Sequence, residues 1–468
     1  MQKSSFYIFL TEALITIVYV WKERKMKKKL VSLMVMTTMV ATMLAGCGSS
    51  AGTGETSEPE AVVNVEEEAT AESAKPSDGI PEVTVWHYFE HEADALNKVA
   101  DEYNASQDKI KVTCTFVSRE ELMNQYTIGA VSGELPDIGM VDSPDMSSYI
   151  ALGVFEDITD ELNAWGELDN FYEGPLSSCK DADGRIYGLP NNSNCLALLC
   201  NMDILSAHGY DAPPTTWDEF YEIAKACTDS ADSVYGFAMS AISNEEGTFQ
   251  LIPWIYSAGA SVADLGSAEA VHAVDFLGKL VDEGIMSKEV INWGQGDALN
   301  AFAAGKAAML ESGTWQISQI DSGDVTLSTD NYKFALLPKD KKNASVIGGE
   351  NFGVCSGTQY RDECIDFLKY MMTAQNNADW CEIAGKLAVR SDAATLKDFW
   401  TADERYAVFN DSMNYAVARG PHPEWPTISE ALYTAEQSVL IGESDAATAM
   451  KAAADKVAPI LEANPIAQ

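Results

Sequence analysis

The 468-residue chain carries 31 Lys and Arg against 71 Asp and Glu, a formal net charge of −40 at pH 7. A surface this acidic repels phosphate backbones and anionic membranes, which argues against nucleic acid as a partner. Eight cysteines besides Cys47 are scattered with no CxxC pair. Zinc and thiol-redox chemistry therefore lack support, and most of these cysteines read as small core residues, with disulfide pairing left open.

Residues 1–25 hold an apolar stretch from Phe6 to Trp21 ahead of a basic cluster, and Met26 is the expected start. From there Met26-Lys27-Lys28-Lys29 is a positive n-region, Leu30 to Leu44 an apolar h-region, and Ala45-Gly46 the small residues a peptidase accepts. The apolar run reaches only the lower edge of the roughly 17–25 residues that a spanning helix needs. Cleavage would leave Cys47 first, and "LAGC" resembles the lipobox of bacterial lipoproteins. That resemblance implies a leader over residues 1–46 and a lipid anchor on Cys47, with more than one acyl chain, because a single chain binds membranes only marginally. Residues 47–81 continue as a Gly-, Ser-, Glu- and Ala-rich acidic tether that cannot bury enough apolar surface to order itself.

The folded part follows, long enough for two domains. "EVTVWHYF" starts as a strand on Val83 and Val85, and the next segment places Ala93, Leu96, Val99, Ala100 and Tyr103 on one helical face. "KIKVTCTFV" is again a strand, which completes a βαβ unit of parallel pairing. "PDIGMVD" reads as a short strand and "CLALLCN" as a buried one. "TTWDEFYEIAKACT" is a helix capped by Thr215 or Thr216, with Trp217 in the core.

In such sheets, sites lie in the loops beyond the carboxyl ends of strands. That rule selects "WHYFEH", "DSPD" and "PNNSN". Trp86, Tyr88 and Phe89 form either a stacking surface or rim and core aromatics. His87 and His91 have helical metal-pair spacing but fall on a strand end and a helix start, so no metal is expected.

Four segments in order carry a resemblance: "PDIGMVDSPDMSSYIALGVFEDIT" (136–159), residues 183–228 with "YGLPNNSN" and "PPTTWDEF", "AFAAGKAAMLESGTWQI" (301–317), and "CIDFLKYMMTAQNNADW" (364–380). Together they resemble the extracellular solute-binding proteins of ABC importers, in particular the carbohydrate-binding family that includes maltose-binding protein. The resemblance implies an α/β, two-lobed periplasmic-binding-protein-like fold of type II. Each lobe would be a mixed, mostly parallel sheet flanked by helices, and two or three segments would cross at a hinge. Lobe one is expected over 82–191 and 349–405, and lobe two over 192–348 and 406–468.

The resemblance implies ligand-binding roles for Trp315 in "SGTW", for Trp254 and Trp425, and for the loop residues Trp86, Tyr88, Asp142, Asn191, Asn192, Glu350 and Asn351. Saccharides suit these types, since C–H faces pack on aromatic rings and hydroxyls need buried donors and acceptors. The implied function is an extracytoplasmic, lipid-anchored receptor at the bacterial cell surface or in the periplasm, delivering sugar to an ABC permease. It would act as a monomer, without cofactor, metal or catalysis. A polyamine or peptide ligand on the same fold, or a secreted carbohydrate-active enzyme, are the alternatives. A phosphate-bearing ligand would need cleft Arg or Lys, and the matched loops show none.

Overall fold

The computed structural model describes residues 79–466. The leader, Cys47 and most of the tether lie outside the described residues. Strand β1 (Glu82–His87) buries Val83 and Val85 by simple alternation and pairs in parallel with β2 (Lys111–Phe116) and β3 (Ile138–Asp142). Helix Ala93–Ser106 makes the first crossover and buries Ala95, Leu96, Val99, Ala100 and Tyr103. Two further strands, β4 (Gly188–Pro190) and β9 (Glu350–Val354), join antiparallel, giving the order β2-β1-β3-β9-β4. The antiparallel return sets Asp142 directly opposite Glu350 at one end of the sheet.

The second sheet centres on β5 (Leu196–Asn201), flanked by β6 (Met309–Gly313) and β7 (Tyr332–Ala335). Both of these ladders are antiparallel, and isolated parallel bridges, such as Ala238 with Leu310 and Phe237 with Met286, lie beside them. The run "LALLCN" is buried throughout because both faces of β5 are covered. Leu196, Leu198 and Cys200 join one core, and Ala197 and Leu199 the other.

Two segments run between the two sheets: residues 191–195, which join β4 to β5, and residues 347–349, which join β8 (Ser345–Val346) to β9; β8 pairs in parallel with β10 (Ala416–Val417). These two crossings touch backbone to backbone. Gly349 has φ +143°, and a Cβ there would run into the carbonyl oxygen of Asn192, so only glycine fits.

Of the two capping threonines, Thr216 receives the Glu219 N–H, while the Thr215 hydroxyl bonds the Glu219 carboxylate instead. Trp217 stacks on Phe276 at 4.6 Å inside the core. All eight cysteines within the described residues are free thiols, seven of them buried. No helix among the described residues is long and apolar enough to cross a membrane.

Candidate functional site

Strands β1, β2 and β3 all end at one cavity of about 280 Å³, which the other lobe lines from the opposite side. The loop after β1 supplies Tyr88 to Glu92, β2 ends on Phe116, the helix that follows it starts at Arg119, and β3 ends on Asp142. From the other lobe come Glu245, Glu246 and Phe249 in helix Glu245–Ser257, and Trp315 and Gln319 in helix Trp315–Ser322. Lys386 follows helix Ala374–Ala384, and Arg419 follows β10.

The lining carries three fixed cations (Arg119, Lys386 and Arg419) and six carboxylates. Each cation is tied to a carboxylate. Arg419 donates through Nη2 to Asp142 Oδ1 at 2.8 Å and through Nη1 to Asp142 Oδ2 at 3.1 Å and Glu245 Oε1 at 2.7 Å. One guanidinium therefore pins the end of β3 to the helix start of the opposite lobe. Arg119 donates through Nη2 to Asp142 at 3.0 Å and to Asp145 at 3.2 Å, which leaves its Nε and Nη1 hydrogens without a side-chain carboxylate. Lys386 Nζ lies 3.2 Å from Glu92 and 4.7 Å from the ring centre of Trp315.

The titration behaviour follows from this geometry. Burial pushes the Lys386 ammonium down, but Glu350 and Glu92 beside it outweigh burial and leave its pKa above the ordinary value. Burial raises the Glu350 carboxyl, with Lys386 opposing. Asp145 is likewise raised by burial, against the pull of Arg119. Both lobes also meet along a second edge, where Gln319 Nε2 lies 3.2 Å from His91 Nδ1 and the Ser318 hydroxyl donates to the Ala384 carbonyl at 3.3 Å.

A family model described as bacterial extracellular solute-binding protein matches residues 98–408, more than half of the chain. The chain belongs to that family. This solute-binding protein is 26% identical over 309 residues to the lactose-binding protein of Rhizobium radiobacter, an alignment covering 61% of this chain and 69% of the relative. It is 23% identical over 336 residues to the multiple sugar-binding protein of Streptococcus mutans, covering 68% and 78%. An ABC transporter solute-binding protein of Thermotoga lettingae bound with alpha-D-tagatose superposes with a TM-score of 0.75 at 25% identity, covering 81% of this chain and all of that one. The maltose-bound MalE3 of T. maritima gives 0.73 at 21% identity, covering 80% and 98%, a likeness of fold. Family membership makes this a binding protein that works outside the cytoplasm, not an enzyme.

The cavity of this solute-binding protein gathers four of the residues read from the sequence: Tyr88, Asp142, Trp315 and Glu350. Six do not line it. Trp86 turns to the other face of β1 and stacks on Tyr126 at 6.3 Å. Asn351 sits next to Glu350 on β9, so alternation sends it to the opposite face, where it donates to Ser178. Asn191 is buried at the hinge. Asn192 stands behind the site and donates to Glu350 Oε2 at 2.7 Å, fixing that carboxyl. Trp254 is core: it packs among Trp217, Phe220 and Phe237 and donates Nε1–H to Glu311 Oε2 at 2.9 Å. Trp425 is fully buried as well and donates to both oxygens of Glu245 at 3.1 Å, so it positions a cavity residue from behind.

Arg119, Phe116, Glu245, Phe249, Lys386 and Arg419 are among the lining residues that the sequence did not single out, and three of them are cleft cations from outside the matched loops. Arg119 could have been found, since it follows the carboxyl end of β2 as Tyr88 follows that of β1. Lys386 and Arg419 come from loops distant in sequence and carry no local signal.

Proposed function

We propose that this cavity takes a neutral saccharide and that the protein hands it to the membrane subunits of an ABC importer, held to the membrane by lipid on Cys47. The observation that carries the sugar reading is the lining itself. Donors (Arg119 and Lys386), acceptors (Glu350 and Gln319) and aromatic rings (Tyr88, Phe116 and Trp315) line one small cavity from both lobes. A polyol needs both donors and acceptors, and a ring with a C–H face needs an apolar wall. Relatives named for lactose and for multiple sugars, and a neighbour crystallised with tagatose, support the same reading. A phosphorylated ligand fits poorly, because every lining cation already faces a carboxylate and carboxylates outnumber cations two to one. Ligand contacts shared by both lobes would favour the closed form, which is what a permease can read.

Thermal melting of the protein with a panel of mono- and disaccharides, glycerol phosphate and polyamines tests this. A saccharide at about a hundred times its Kd adds roughly 2.7 kcal/mol of stability and should raise Tm visibly. A shift with glycerol phosphate alone would sink the neutral-sugar reading. A shift with polyamines alone would transfer the site to cationic ligands, which the excess of carboxylates also suits.

A further inference from the structure

Three aromatic rings of the cavity already carry a cation. Lys386 Nζ lies 4.7 Å from the ring centre of Trp315, Arg419 Cζ 4.4 Å from that of Phe249, and Arg119 Cζ 5.8 Å from that of Tyr88. These are cation–π distances. Each cation is also anchored by carboxylates, so it does not swing freely off its ring. Trp315 is blocked a second time, because its six-membered ring lies against Gly313, where any Cβ would collide with Cζ3 and Cη2. A sugar stacks through C–H groups and needs a ring face that nothing else covers.

Phe116 meets that need. It is the last residue of β2, lines the cavity, and is 50% exposed. No other Phe, and no Trp, is exposed among the described residues, and no other exposed large apolar side chain lines the cavity. The imidazole of His87 meets it at 71°, edge-to-face and not stacked. Singly exposed apolar side chains are ordinary on a protein surface, so what sets Phe116 apart is its place: of those among the described residues, it alone lines the cavity.

We propose that Phe116 is the stacking platform of this site and that the ligand is a saccharide of two or more rings, with one ring inside the cavity and the next against Phe116 at its mouth. This rests on the sugar reading above. The cavity's size agrees with it: about 280 Å³ falls just below the roughly 300–1,000 Å³ of small-molecule sites, so a longer ligand must extend over the mouth. It also moves the stacking role away from Trp315, whose ring becomes a wall that orients Lys386.

The test is calorimetric titration of the native protein and of Phe116→Ala with maltose, lactose and mannobiose, beside glucose, galactose and mannose. The disaccharide that binds the native protein is expected to lose about ten-fold in affinity on Phe116→Ala, as one aromatic contact implies, while its component monosaccharide changes by under about two-fold. Phe116→Tyr should restore the disaccharide. The ligand-free Tm should fall by no more than a few degrees, since the side chain is half in water and gives up only its remaining burial and the edge-to-face contact with His87. Saccharide binding that Phe116→Ala leaves within about two-fold, or that falls equally for one ring and two, overturns the platform while the sugar reading stands. If no saccharide binds the native protein, the sugar reading itself fails, and the platform fails with it.

Discussion

Replacing Arg419 by Met is expected to destabilise the protein by about 3–5 kcal/mol, the usual consequence of removing one partner from a buried ion pair. The guanidinium is 3% exposed and makes two bonds to Asp142 and one to Glu245, with Nε also donating to the Ile347 carbonyl at 3.3 Å. Without it, two carboxylates that are themselves buried face each other across the interface of the lobes. Arg119 still compensates Asp142, and Trp425 still donates to Glu245, but neither bridges the two. Thermal melting should show a fall of several degrees in Tm. Adding Glu245→Gln to Arg419→Met should recover part of the loss, because one uncompensated charge is then gone. A melting curve unchanged by Arg419→Met would mean that the lobes do not meet through this residue in solution.

The second large effect concerns pH. Glu311 lies in the middle of β6 and Glu436 in helix Trp425–Leu440, and both are fully buried. Glu311 Oε2 accepts the Trp254 N–H, while Glu311 Oε1 and both oxygens of Glu436 meet no donor. Burial drives both carboxyls well above the ordinary range, and the charge of Glu311 raises Glu436 further. A raised carboxyl contributes stability that is complete below the unfolded pKa of about 4.3 and lost as pH rises toward the folded value. Over that window each acid costs about 1.4 kcal/mol per pH unit. The isosteric double variant Glu311→Gln, Glu436→Gln should therefore match the native protein near pH 4 and become progressively more stable than it from pH 5 to 8. Stability curves that run parallel across that range would show that the two acids are not held protonated.

This pair also explains one limit of the sequence. Glu311 falls inside "AAMLESGTW", where nothing local distinguishes a core acid from a cleft acid, and Trp254 was drawn to the cleft by the same ambiguity. The carboxyl-end rule was legible, which is why Tyr88 and Asp142 reach the cavity, whereas Glu350, the first residue of an antiparallel strand, came from the family resemblance alone. Asn351 failed by a single residue, since neighbours on a strand face opposite ways. Asn192 and Trp425 lie one layer behind, holding Glu350 and Glu245, a distinction that only packing reveals. Lys386 and Arg419 depend on chain crossings hundreds of residues apart from Asp142 and Glu92, and Phe116 stands out only once its exposure is known.

The most direct test of the central claim is a crystal structure of the protein with the saccharide that raises its Tm most. The ligand is expected between the lobes, with hydroxyls bonded to Arg119, Glu350 and Lys386 and the lobes still bridged by Arg419. Ligand density anywhere else on the molecule, with these side chains bonded to one another as they are here, would contradict the assignment of this cavity as the binding site.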